Sequence, residues 1–227
     1  MESNPDPILS AILPSEVAAA EIRGEFPITG LFPEEMSLLG PQAVEKRRRE
    51  LTAGRLLARR ALEKIGVAPV AILAGEKREP LWPAGVVGSI THTFGYGAAA
   101  VAPAARFSGI GIDAEVHEPL PDGVLRMIAR PEEQAWLEKH ADDDIRWDRL
   151  LFCAKESVYK VWYPLMHRWL GFEDATVLFD RESGTFRAQL VGETLLIDGR
   201  AVTALEGRFL ADRQHVLTTI AVERVTR

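Results

Sequence analysis

Most of the chemistry in this chain rests with the carboxylates of Asp113, Glu115 and Glu156 and the ammonium groups of Lys155 and Lys160. They fall in two short stretches, Gly111-Ile112-Asp113-Ala114-Glu115 and Phe152-Cys153-Ala154-Lys155-Glu156-Ser157-Val158-Tyr159-Lys160. Such a set suits the holding of a divalent cation against a phosphate ester, because hard cations take oxygen ligands and phosphate oxygens accept from lysines. In the first stretch Ile110, Ile112 and Ala114 alternate with Gly111, Asp113 and Glu115, the period of a half-buried strand. Asp113 and Glu115 therefore share a face with Cα atoms roughly 7 Å apart. A cation between them would relieve their repulsion, but two carboxylates leave a Mg²⁺ shell incomplete.

The second stretch belongs to a run from Trp147 to Tyr163 without Gly or Pro, in which Leu150, Leu151, Ala154, Val158 and Val161 recur at helical spacing. One helix with a buried face is expected. Glu156 and Lys160 share a face of it, and Lys155 is turned by about 100° from Glu156. Taken singly, the strand pattern also fits a solvated edge, and the Glu/Lys spacing also fits a surface ion pair. Phe152, Tyr159 and Trp162 crowd the helix, and the strand is otherwise apolar, which places these charges near the core. Charges there are paired or metal-bound.

On these residues the chain resembles the surfactin-type 4′-phosphopantetheinyl transferases. That family's pattern is Gly-(Ile/Val)-Asp-x-Glu followed by a Lys-Glu-Ser/Ala-x-x-Lys helix, and its upstream Ser-x-(Ser/Thr)-His element is present as Ser89-Ile90-Thr91-His92. Trp162-Tyr163-Pro164-Leu165 and Arg168-Trp169-Leu170-Gly171-Phe172-Glu173-Asp174-Ala175 are similar to the actinobacterial branch that serves lipid and siderophore synthases. One departure is Arg78-Glu79-Pro80, where the family often carries Gly-Lys/Glu-Pro. It puts that loop's backbone contacts in question, with Lys77 or Arg78 as the alternative source of positive charge.

The 227 residues suffice for one large domain or two small ones, and 47% hydrophobic content supports a packed core. A formal charge of −6 argues against nonspecific nucleic-acid binding as the main task. The single cysteine, Cys153, excludes an internal disulfide framework and reads as a small buried residue. No window approaches the roughly 18 apolar residues of a membrane span, and Glu2 and Asp6 stand where a secretory leader would be basic. A cytoplasmic protein is expected, and a monomer, although no feature fixes the oligomeric state.

Lys46, Arg47, Arg48, Arg49, Arg55, Arg59 and Arg60 lie in a helix-like run from Pro41 to about Ile65, with Leu51, Leu57, Ala58, Ala61 and Leu62 inward. Arg48, Arg55 and Arg59 line one stripe, fit either for gripping phosphates or for solvation. A Gly/Pro-rich loop spans Gly75 to Gly88, a strand Gly97 to Pro103, and a break runs to Ser108. After the Asp113 strand, helices are expected from Val124 and from Pro131-Glu132-Glu133, which has the proline of a helix start. Leu120, Val124, Leu125 and Met127 form either an outward apolar patch for a partner or an ordinary inward face. Strands are expected at Thr176–Phe179, Thr185–Leu190, Thr194–Ile197 and His215–Val222. The fold class is α+β. No internal sequence repeat is evident; two similar halves, 1–107 and 108–227, with the active site between them, are what the resemblance implies.

The resemblance also implies the activity: a serine hydroxyl of an apo acyl or peptidyl carrier protein attacks the β-phosphate of coenzyme A and expels adenosine 3′,5′-bisphosphate. Such carriers belong to fatty-acid, polyketide and non-ribosomal peptide synthases. It assigns a Mg²⁺ ion, or Mn²⁺, to Asp113, Glu115 and Glu156. It assigns coenzyme A contacts to Arg48, Arg55, Lys77, Arg78, Glu79, Pro80, Ser89, Thr91 and His92, with Asp113 and both lysines. Lys160 would stabilise charge on the leaving group and Lys155 would orient phosphate, while Glu156 would act as base directly or through a metal-bound water. A metal-dependent phosphoesterase and a non-catalytic coenzyme A or carrier-binding module remain open on periodicity and composition alone.

Overall fold

A computed structural model describes residues 8–224, so Glu2 and Asp6 lie outside the described residues. The strands are β1 (Ala18–Arg23), β2 (Leu73–Ala74), β3 (Pro80–Leu81), β4 (Val86–Thr93), β5 (Tyr96–Pro103), β6 (Phe107–Val116), β7 (Ala175–Asp180), β8 (Thr185–Leu190), β9 (Leu195–Ile197), β10 (Arg200–Val202), β11 (Ala204–Ala211) and β12 (His215–Glu223). The helices are α1 (Pro33–Met36), α2 (Glu45–Lys64), α3 (Val124–Ile128), α4 (Pro131–Lys139) and α5 (Trp147–Met166). Helices and antiparallel sheets intersperse along the chain, an α+β architecture. No helix of the described residues is long and apolar enough to cross a membrane.

Two antiparallel sheets carry the fold, ordered β1-β5-β4 and β6-β12-β11-β8-β7. Helix α2 lays Leu57, Ala58, Ala61 and Leu62 on the first, against Ala20, Ala99 and Val101. Helix α5 lays Leu150, Leu151, Ala154, Val158, Val161 and Trp162 on the second, against Val177, Phe186, Ala188, Val216 and Ile220. A third cluster, including Tyr96, Ala98, Ala100, Phe107, Ile110, Ile112 and Leu217, glues the two halves together. Hence β5 is buried on both faces, and its Gly97-Ala98-Ala99-Ala100 run is the thin strand such a position needs.

The expectation of a half-buried β6 is corrected: it too is buried on both faces over most of its length. One face joins the central cluster and the other lies under α5, where Gly111 makes the approach possible. A Cβ at Gly111 would stand 2.1 Å from the Ser157 carbonyl oxygen. The sheets meet along β4 and β6, where Ile112 N donates to Ser89 Oγ (3.1 Å) and Ala114 N to Thr91 Oγ1 (3.2 Å). Both contacts advance in the same direction, so the two strands run parallel across the seam, with side-chain hydroxyls in place of a backbone ladder.

Helix α2 begins at Glu45 rather than Pro41, and α5 runs past Pro164 to Met166. Pro164 lacks the amide that would bond the Lys160 carbonyl, and the helix ends two residues later. The Gly75–Gly88 loop turns from β2 into β3 and holds the start of β4, and β1 and β11 were not anticipated. Of the four candidate patch residues, Leu120, Val124 and Leu125 pack against the core, and only Met127 is largely exposed.

Candidate active site

Asp113 is almost fully buried where β6 passes between β4 and α5. Its Oδ1 accepts from Lys160 Nζ (2.7 Å) and Thr91 Oγ1 (2.9 Å), and Lys160 donates also to the Ile112 carbonyl (3.0 Å). Asp113 Oδ2 is buried and takes no hydrogen bond. Glu115, two residues along the same face, lies 3.3 Å from Arg149 Nη1, whose other donors serve the Glu118 and Pro119 carbonyls. Burial pushes the Glu115 carboxyl up to about 7, and the charge of Asp113 adds to the effect. Burial, then Asp113, also raises Glu156, with Lys160 opposing.

These features describe three carboxylates too close to share their charge comfortably. As placed, no group of three His, Cys, Asp or Glu side chains among the described residues stands within coordinating reach of one ion. Lys160 holds Asp113 and Arg149 holds Glu115. The donor set still fits a hard divalent cation, since an orphaned carboxylate oxygen and two carboxyls of raised proton affinity are what such an ion would relieve.

A pH dependence follows. Glu115 keeps its proton in the folded chain up to about pH 7, whereas an unfolded glutamate releases it near 4.5. The folded state thus binds more protons between these values, and stability falls as pH rises through that window. Denaturation midpoints of the metal-free protein should rise relative to Glu115→Gln as pH is lowered from about 8 to about 5. Parallel pH profiles for the two proteins would contradict the assignment.

Beside this cluster opens a cleft of two joined hollows. One, about 240 Å³, is walled by Glu156, Lys160, Tyr159, Ser89 and the Lys77–Pro80 turn. The other, about 640 Å³, is walled by Arg47, Glu50, Arg55 and His92. Arg78, Pro80 and Ile90 border both. The cleft thus runs from a basic end to the carboxylate cluster. A larger hollow of about 720 Å³ lies by β1, at the far edge of the first sheet, and contains none of these residues.

Several expectations change here. Arg47, not Arg48, walls the cleft with Arg55. Arg59 is withdrawn into a buried pair with Glu35 (2.6 Å). Arg55 is anchored by its Nε to the Ile72 carbonyl (2.7 Å). Thr91 is spent on Asp113 and the Ala114 amide, so it orients the cluster rather than meeting a ligand. Burial holds the His92 imidazole below its usual value, with Glu50 opposing.

Arg78 resolves the departure from the family pattern. Its φ is +68°, the left-handed region glycine enters freely, so the turn is kept and an arginine is added at the junction of the hollows. Relief of that strain, less the entropy of an unfolded glycine, should make Arg78→Gly more stable by roughly 0.5–1 kcal/mol. Coenzyme A should bind it more weakly. Denaturation and ligand titration check both, and lower stability with unchanged affinity would contradict the reading.

Comparison with known proteins bears on this geometry. Residues 34–102 match the family model of the 4′-phosphopantetheinyl transferase N-terminal domain, and residues 109–219 that of the 4′-phosphopantetheinyl transferase superfamily. The chain is 46% identical over 223 residues to the 4′-phosphopantetheinyl transferase Npt of Nocardia iowensis, covering 94% of this chain and 99% of that one. It is 42% identical to PptT of Mycobacterium tuberculosis over 219 residues (95% and 96%) and 44% identical to Svp of Streptomyces mobaraensis over 221 (95% and 89%).

The chain belongs to the 4′-phosphopantetheinyl transferase superfamily.

In this transferase the chain passes from the first sheet to the second between Pro103 and Phe107, at the gap between the two family matches. Lys155, the second lysine of the motif, does not face the cleft with Lys160. Its ammonium donates to Glu133 Oε2 (2.7 Å), the Ile128 carbonyl (2.7 Å) and the Phe172 carbonyl (2.8 Å), which uses all three of its N–H bonds. The assignment of Lys155 to phosphate is corrected on that ground. Arg47 was named in the basic run but left off its phosphate stripe, and Glu133 was overlooked as a member of the site's framework. Arg47 sits in a run of four basic residues where one turn of register is ambiguous, and Glu133 read as an ordinary helix-start residue.

Proposed function

We propose that this transferase moves the 4′-phosphopantetheine group of coenzyme A to a serine hydroxyl of an apo carrier protein and releases adenosine 3′,5′-bisphosphate. The observation that carries this reading is a pair of adjoining hollows that share Arg78, Pro80 and Ile90, one walled by Arg47, Arg55 and His92 and the other by Lys160 and Glu156. Its basic end matches the phosphorylated nucleotide of coenzyme A, and its carboxylate end matches the place where the diphosphate is split. The acceptors proposed are acyl and peptidyl carriers of fatty-acid, polyketide and non-ribosomal peptide synthases, those of lipid and siderophore assembly foremost.

Asp113, Glu115 and Glu156 are the groups that would hold Mg²⁺ or Mn²⁺, whose charge would offset that of the diphosphate. Lys160, pinned by Asp113 and the Ile112 carbonyl and open to the cleft, brings an ammonium to the phosphate that leaves. Glu156, with its proton affinity raised, suits the removal of the serine proton. The serine oxygen forms its bond to phosphorus, the bond from that phosphorus to the bridging oxygen breaks, and the bisphosphate departs with the electron pair. Tyr159, stacked on Tyr163 and tilted against Trp169 with ring centroids 5.8 and 5.2 Å away, gives the cleft an aromatic wall next to Glu156.

Chromatography of the nucleotide product tests the reading. Adenosine 3′,5′-bisphosphate should form only with an apo carrier present, one for each carrier modified, and not with a carrier whose acceptor serine is alanine. Release from coenzyme A alone would point instead to a phosphoesterase.

A further inference from the structure

The bonding around Lys155 occurs a second time in this molecule. In the C-terminal half Glu133, third residue of the Pro131-Glu132-Glu133 helix start, accepts the Arg130 amide on Oε2 (2.7 Å) and the Val177 amide on Oε1 (2.7 Å), and pairs with Lys155 from α5. In the N-terminal half Glu35, third residue of Pro33-Glu34-Glu35, accepts the Phe32 amide on Oε2 (2.9 Å) and the Ile72 amide on Oε1 (2.9 Å), and pairs with Arg59 from α2. Each cation also donates to a carbonyl five residues before its glutamate, Ile128 for Lys155 and Gly30 for Arg59. All four ionic side chains are at most 6% exposed. The chain's internal repeat is thus a repeat of hydrogen bonds, with little left of it in sequence beyond Pro-Glu-Glu.

A buried ion pair persists where both partners are fully hydrogen-bonded, and leaving one of them alone is costly. Lys155 uses all three of its donors and Arg59 bonds through both Nη atoms, and each pair ties the main helix of its half to the segment before a short helix and to the strand or loop beyond the main helix. In the C-terminal half the tie reaches Phe172, whose segment with Trp169 walls a hollow next to Glu156. Lys155 precedes Glu156 directly, so holding Lys155 fixes the roll of α5 about its axis and with it the direction in which Glu156 points.

We infer that Glu133 and Lys155 form a latch that positions Glu156, the counterpart of the Glu35–Arg59 latch of the other half, and that Lys155 is a positioning residue rather than a phosphate ligand. The role assigned to Glu156 rests on the proposed transfer reaction; the latch itself does not.

The test compares Lys155→Met, Glu133→Gln and the double variant with the wild type. Coenzyme A affinity is read by calorimetry, kcat and KM with an apo carrier, and stability by thermal melting. The latch predicts that Lys155→Met loses about tenfold or more in kcat through misplacement of Glu156, with coenzyme A affinity within about twofold of wild type. It predicts that the double variant melts above both single variants, since no lone charge stays buried, while its kcat stays low because Glu156 is still unheld. Coenzyme A affinity weakened about tenfold or more in Lys155→Met, with no recovery in the double variant, would overturn it. If Lys155→Met does not fold, Glu133→Gln takes its place: reduced kcat at unchanged coenzyme A affinity supports the latch, and unchanged kcat overturns it. If the wild type binds coenzyme A but modifies no carrier, the transfer reading fails, and the melts decide the latch alone. A double variant that melts no higher than the weaker single variant then overturns it.

Discussion

Asp113→Asn is expected to cut carrier modification by roughly a hundred- to a thousandfold while the chain stays folded. The substitution keeps the shape of the side chain and an oxygen able to accept from Thr91 and Lys160. It removes the charge that faces Glu115 and Glu156 and that holds Lys160 against the β6 backbone. Two other measurable properties should move with it. Without Asp113's charge, the carboxyls of Glu115 and Glu156 should lie lower, because that charge helps to raise both. The stabilisation given by added Mg²⁺ in a thermal melt should disappear. Wild-type turnover in Asp113→Asn would remove the carboxylate cluster from the reaction.

The largest stability effect is expected at a residue with no side chain. A Cβ at Gly111 would lie 2.1 Å from the Ser157 oxygen and 2.9 Å from Val161 Cγ2, so Gly111→Ala must push α5 away from β6. Backbone cannot be rotated aside as a side-chain end can, and a loss of about 3 kcal/mol is expected. The displaced helix carries Glu156 and Lys160, so kcat should fall in the protein that still folds. Denaturant titration at equilibrium checks the first effect, and a midpoint equal to wild type would contradict the packing described. The glycine of the Gly-Ile-Asp-Ala-Glu stretch is thus explained by the helix above it, and the Lys160–Asp113 contact by the same close crossing.

The sequence disclosed most where periodicity and chemistry agreed. Helix α5, the strand carrying Asp113 and Glu115, and most strands after Gly171 were legible because apolar residues recur there at clear periods. Strand β1, Ala-Ala-Ala-Glu-Ile-Arg, was not, since alanines carry no strand preference and only pairing with β5 makes it a strand. The site was legible in residue types and less so in who faces whom. Lys155 and Lys160 look alike in the motif, yet five residues of helix, about 140° of turn, send one to the cleft and the other into a buried pair. Arg47 and Arg48 are neighbours turned by about 100°. Thr91 was expected to contact coenzyme A on the strength of the resemblance, whereas its hydroxyl is occupied in joining the two sheets. The paired latches were invisible for a related reason: a hydrogen-bond pattern can repeat across two halves whose residues barely match.

The central claim is that one cleft brings coenzyme A and a carrier serine together at Asp113, Glu156 and Lys160. Intact-mass measurement of a purified apo acyl carrier protein, after incubation with this protein, coenzyme A and Mg²⁺, tests it most directly. The expected result is a gain of one phosphopantetheine per carrier, lost with a chelator and with Asp113→Asn. An unchanged carrier mass across fatty-acid, polyketide and peptidyl carriers, with folded wild-type protein, would contradict it.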